Sequence, residues 1–242
     1  MKKRYGTTSF IIKFTSFSLI LATAAIILGG TVIPASSSGV DGAPVKIIVD
    51  AGHGGLDGGA VADDGTVEKD LNLSLAHSLK NALIALGADV IMTRSDDVML
   101  ADDNSPHKKR DDLNARAKLA RESGDCIFVS IHMNKFPVPK YSGLQVYYSP
   151  KNEQSKAIAD ALQAAARQFI DPANARVPKK AGEEIYLMQN VTCPAVLVEC
   201  GFLSNPEELE RLKDVAYREK LALIIAATLM EYASVAEARE YS

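Results

Sequence analysis

The stretch IIVDAGHGG, Ile47 to Gly55, runs three aliphatic residues into an aspartate and then sets one histidine among glycines. An unbroken apolar run of this length bounded by turn residues reads as a strand buried on both faces. Glycine lets the following backbone turn sharply or pass close to another group. The strand therefore delivers His53 just beyond its own carboxyl end. Working outward, VKIIVD (45–50), ADVIMT (88–93), CIFVSIH (126–132), GLQVYYS (143–149) and AVLVEC (195–200) are short strand-like runs. Helical patterns at about 67–86, 111–122, 152–169, 206–212 and 217–232 alternate with them. That alternation predicts an α/β fold: a single domain with a mostly parallel twisted sheet and helices on both faces. In such sheets ligands bind at the carboxyl ends of the strands.

Composition sets the outer bounds. With 47% hydrophobic and 24% charged residues over 242 positions, the chain can bury a real core. Residues 1–37 differ in kind: MKKR and Lys13 supply basic charge without an acid, and SFSLILATAAIILGG follows. They read as a signal peptide or membrane anchor, residues 38–44 as a linker and residues 45–242 as the folded domain. The folded part is then expected outside the cytosol, secreted or anchored. A net charge of −3 gives no support to nucleic-acid binding. Cys126, Cys193 and Cys200 form no CxxC or zinc-finger spacing, and the plain reading is buried, unpaired thiols.

Three ionisable residues fall at three strand ends: His53, His132 and Glu199. A fourth, Glu68, heads the stripe Leu71, Leu75, Leu79, Leu83 and Leu86, so its carboxylate points toward the core. A buried carboxylate needs a counter-charge. Two histidines and a glutamate converging with no lysine or arginine in their motifs make the ligand set of a catalytic zinc, which keeps one position open. Glu199 is then left as a general base, and the chemistry is metal-assisted hydrolysis. His77, off that stripe, and His107, in SPHKKRDD, read as solvated. Arg94 and Arg116 read as exposed or helix-pairing, and Ser204-Asn205-Pro206-Glu207 as a capped helix start. No soluble nucleotide cofactor is expected: in GHGGLD, Asp57 stands where a third glycine of a dinucleotide loop would be, and no P-loop Lys-Ser/Thr follows.

Four motifs together, IIVDAGHGGLDGGAV, the Glu68 of VEKDLNLSLAHSL, VSIHMN and PAVLVECGFLSNPEE, resemble the zinc-dependent N-acetylmuramoyl-L-alanine amidases of the type-3 amidase family. The resemblance implies Zn2+ held by His53, Glu68 and His132, with Glu199 as the catalytic glutamate. It also implies hydrolysis of the amide between N-acetylmuramic acid and the L-alanine of the peptidoglycan stem peptide. Asn134, two residues after a ligand, is a candidate for orienting substrate. EEIYLMQNVTCPAVLVECGFLSNP and PVPKYSGLQVYYS look like the germination-specific branch. That branch implies spore-cortex peptidoglycan as substrate, muramic δ-lactam as the eventual product, a lipoprotein partner and a place in the forespore intermembrane space or cortex. Two other readings keep the fold: a non-catalytic wall-binding or activator domain, and a zinc peptidase cutting within the stem peptide.

Overall fold

The computed structural model describes residues 43–102 and 104–240, with side chains described as far as residue 236. The expected leader, and all but the end of the expected linker, lie outside these residues. Six strands run in chain order: β1 Lys46–Ala51, β2 Asp89–Met92, β3 Ile127–Asn134, β4 Gln145–Tyr148, β5 Lys179–Lys180 and β6 Ala195–Phe202. The helices are α1 Glu68–Ala85, α2 Lys108–Glu122, α3 Gln154–Phe169, α4 Tyr186–Asn190, α5 Pro206–Lys213 and α6 Val215–Glu240. The strands form one sheet in the order β2-β1-β3-β6-β4-β5. Pairings β1/β2, β1/β3, β3/β6 and β4/β5 are parallel, and β4/β6 is antiparallel.

Alternate residues of the central strands serve two cores, as the two-residue strand period requires. Ile47, Val49, Val129, Ile131, Val196 and Val198 pack on one face against Leu71, Leu75 and Leu79 of α1, Ile158 and Leu162 of α3, and Leu221, Ile225 and Leu229 of α6. Ile48, Phe128, Ala195 and Leu197 point to the other face, against Ala117 and Ala120 of α2 and Leu187 and Met188 of α4. Burial of each large aliphatic side chain contributes roughly 2–3 kcal/mol. The mostly parallel α/β sheet covered on both faces is as the sequence pattern predicts.

Two elements escape that pattern. Strand β5 is two lysines, and α4 is five residues, too short to show a helical period. Helix α2 starts three residues earlier than expected, at Lys108 behind an exposed His107, and α6 extends the expected 217–232 at both ends. Helix α5 starts as its sequence indicates: the side chain of Asn205 accepts hydrogen bonds from the amides of Glu207 and Glu208, with Pro206 at the first helical position.

For function, the decisive feature is the neighbourhood of β1. The chain leaves β1, crosses through α1 to β2 on one side, and later places β3 on the other. The strand order therefore reverses between β1 and β3, and loops leaving their carboxyl ends diverge to open a crevice. Among the described residues no helix is long and apolar enough to cross a membrane.

Candidate metal centre and active site

The site begins where β1 stops. After Ala51 the chain passes through Gly52 into His53, whose φ is +62°, the left-handed region that a non-glycine residue enters only at a cost. Fixed donors pin the turn: Gly52 N donates to Ile131 O at 3.0 Å, and Gly52 O accepts from Asn72 Nδ2 at 3.1 Å and Arg94 Nη2 at 3.0 Å. His53 O accepts from Arg116 Nη2 at 2.7 Å. Gly52 cannot carry a side chain, because a Cβ there would lie 2.3 Å from the His132 ring. Gly59 faces a similar limit, with Glu68 Oε2 2.5 Å from where its Cβ would be.

Glu68 is the first residue of α1 and is 4% exposed. One oxygen, Oε1, lies 3.0 Å from His132 Nδ1 and accepts from Met133 N at 3.1 Å and Asn72 Nδ2 at 3.3 Å. The other, Oε2, lies 3.3 Å from His53 Nε2 and accepts from Ala60 N at 2.8 Å. Burial alone would raise the pKa of Glu68, but the hydrogen bonds and charges of His132 and His53 overcome it and hold the carboxyl far below its usual range. On the far side of His53, Asp57 Oδ2 is 2.9 Å from Nδ1. With Asp57 on that side, Nε2 of the ring faces Glu68.

His53, Glu68 and His132 each present one donor atom, all within 4.8 Å of one another, and this trio could hold a metal ion. The two imidazoles meet edge to face with centroids 4.9 Å apart. Their side chains keep 18% and 17% of their surface exposed, whereas Glu68 lies behind them. The donor set of two ring nitrogens and one carboxylate, reached from solvent at the edges of the two rings, suits zinc with a free position.

Glu199 pairs with His132 across the β3/β6 ladder, so both side chains project from the same face of the sheet. Its Oε2 is buried and has no hydrogen-bond partner among the described residues. Burial pushes its pKa up to about 7; the charge of Glu68 adds to the rise, while those of His132 and His53 oppose it. Such a carboxylate can exchange protons near neutral pH. Asn134 stands two residues past His132, half-buried, at a register shift where its carbonyl accepts from Leu203 N at 2.7 Å. It shares the strand end with the trio but makes no described side-chain contact with it.

The arginines answer the sequence reading in part. Arg94 and Arg116 are buried, 3% and 1% exposed, not at the surface, while Arg116 does pair within its helix, with Asp112 four residues earlier. Arg116 donates to Asp50 Oδ1 and Ala51 O, both at 2.8 Å, to Asp112 Oδ2 at 2.7 Å, and to the His53 carbonyl. Arg94 donates to Ala51 O at 2.9 Å, Gly52 O at 3.0 Å and Lys69 O at 2.9 Å. Asp50, fully buried in β1, also accepts from Thr93 Oγ1 and Ser130 Oγ. His77 is not simply solvated either, since its Nε2 lies 3.0 Å from Ser95 O.

Residues 47–231 match the N-acetylmuramoyl-L-alanine amidase family. The chain belongs to this amidase family. Among curated relatives, the germination-specific N-acetylmuramoyl-L-alanine amidase of Bacillus subtilis is 39% identical over 189 residues, 77% of this chain and 78% of that protein. The CwlD amidase of Clostridioides difficile, solved in complex with the GerS lipoprotein, superposes with a TM-score of 0.75 at 38% identity, covering 79% of this chain and 99% of that one. The catalytic domain of the amidase CwlV from Bacillus (Paenibacillus) polymyxa var. colistinus gives a TM-score of 0.66 at 30% identity, covering 79% and 99%. The resemblance of the four sequence motifs to this family thus agrees with all three comparisons, and the likeness of the two further segments to its germination-specific branch agrees with the B. subtilis relative.

Proposed function

We propose that this amidase, acting from residues 45–242, hydrolyses the bond between N-acetylmuramic acid and L-alanine in spore-cortex peptidoglycan, leading to muramic δ-lactam and germination. The metal would be zinc, and His53, Glu68 and His132 would hold it. The observation that carries this reading is Glu199: a buried, unpartnered carboxylate pushed up to about 7, beside a His-Glu-His trio. At such a site zinc supplies Lewis acidity toward water and the scissile carbonyl. Glu199 accepts a proton from the attacking water at Oε2 and returns it to the departing alanine nitrogen, so that one carboxylate serves both halves of the reaction. Asn134, at the end of β3, contacts the substrate. Residues 1–37 direct export, which places the enzyme with its wall substrate, in the forespore intermembrane space or cortex. A lipoprotein partner is supported by the likeness to the solved C. difficile complex.

The test is digestion of purified cortex fragments followed by mass spectrometry, with bound zinc measured in parallel. Stem peptides with a free N-terminal L-alanine, together with intact glycan, are the expected products. A Glu199→Gln variant should keep its zinc and lose about 10²–10⁴-fold in kcat. Cleavage inside the stem peptide would move the reading to a peptidase, and full activity of the variant would remove Glu199 as the base.

A further inference from the structure

Cys126 and Cys193 lie far apart in sequence but each stands two residues before a ladder pair, Phe128 of β3 and Ala195 of β6. The ladder bond from Phe128 N to Pro194 O, 2.8 Å, ties the chains at that point. Cys126 directly precedes β3, and Cys193 lies in the bend that leads through Pro194 into β6. Both pack with the Phe128 and Ala195 core, Cys126 buried and Cys193 partly buried against it. Each thiol has the other as a hydrogen-bond neighbour, and Cys126 Sγ also donates to Ala120 O at 3.8 Å. A disulfide needs Cα atoms roughly 4.4–6.8 Å apart, a range open to two residues whose thiols are neighbours.

We propose that Cys126 and Cys193 are a disulfide site: in an oxidising environment they join and staple the amino-terminal ends of β3 and β6, the two strands whose other ends carry His132 and Glu199. With oxidised glutathione as oxidant, two thiol S–H bonds and the glutathione S–S bond break. One Sγ–Sγ bond forms, and two glutathione thiols leave with the two electrons and two protons. The partly buried Cys193 is the sulfur the oxidant reaches. Cys126 then resolves the mixed disulfide. Cys200, buried on the opposite side of β6, takes no part. The site is independent of the proposed activity, although the oxidising compartment it needs is the one that export would supply.

The full chain, purified in reductant and desalted, is incubated with oxidised glutathione, denatured and titrated for thiols. The expected count falls from three to one, the chain stays monomeric without reductant, and peptide mapping joins the Cys126 and Cys193 peptides with Cys200 free. The oxidised chain should melt several degrees above the reduced one, because the cross-link closes a long loop in the unfolded state. Cys126→Ser should show no such rise. If that variant does not fold, Cys200→Ser serves instead, and its count should fall from two to zero. Three persisting thiols, a glutathione adduct retained on Cys193, a link through Cys200 or intermolecular dimers would each overturn the proposal, as would an unchanged melting temperature.

Discussion

Replacing Arg116 by methionine removes a guanidinium from beneath the metal centre at nearly constant volume. The magnitude follows from what is left behind. Asp50, 0% exposed, would keep only the hydroxyls of Thr93 and Ser130, Asp112 would lose its ion pair, and the carbonyl of the strained His53 would lose its donor. Stripping one partner from a buried pair costs about 3–5 kcal/mol. For a folded unit of this size that corresponds to a fall in Tm of roughly 6–20 °C. The loss should also depend on pH. Burial would raise the pKa of Asp50, but Arg116 and the two hydroxyls outweigh it, so its folded pKa lies below the unfolded one. Wild-type stabilisation from Asp50 is therefore complete above the unfolded pKa, about 4, and is lost as pH falls through the lower folded pKa. In R116M burial acts without the arginine, the aspartate takes up a proton more readily, and the stability gap to wild type should narrow as pH falls from 7 to 4.5. The assay is urea denaturation followed by circular dichroism at both pH values for wild type, R116M, D50N and the double variant. Because the amide removes the orphaned charge, the double variant should be more stable than R116M. The reasoning fails if R116M loses less than about 1 kcal/mol, if the gap does not narrow in acid, or if the double variant is the sum of the singles.

Other consequences are checked more simply. In the metal-free chain, Glu199 has its folded pKa raised to about 7, so its contribution is intact below the unfolded value and is lost as pH rises through 7. Metal-free E199Q should accordingly exceed wild type in stability at pH 8 by about 3 kcal/mol, the gap closing toward pH 4, as denaturation curves would show. Gly52→Ala would put a methyl group 2.3 Å from the His132 ring. Titration calorimetry should find zinc binding weakened at least tenfold, and unchanged affinity would mean that the ring moves aside freely. Asn205→Ala removes the acceptor for two amides at the start of α5 and should cost about 1 kcal/mol in unfolding.

The alternation of apolar strands with helical stripes made the sheet legible, because burial on two faces leaves few residue choices in β1, β3 and β6. The four candidate site residues could be picked out for a related reason: three close or follow such strands, and the fourth heads the α1 stripe. What stayed hidden has no period to carry it. Two lysines make β5 only because β4 offers them an edge, and the five residues of α4 gain their helix by packing Leu187 and Met188 on the sheet. The left-handed turn at His53 is likewise invisible in one letter of sequence.

Asp50 shows where the reasoning about charge could have gone further. A carboxylate pointing into the core demands a cation, and that demand, applied to Glu68, leads to the proposed metal. Asp50 sits inside the same apolar run and is more deeply buried than Glu68. The same demand at this position asks for a second cation, and with no further histidine at a strand end it must be an arginine or lysine from another element. Arg116 meets it across 66 residues of chain, and the guanidinium is broad enough to reach the His53 carbonyl as well. The cation that neutralises the strand thus also joins Arg94 and Asn72 in holding the turn that aims His53 at Glu68, so the charge buried beneath β1 helps to deliver its histidine.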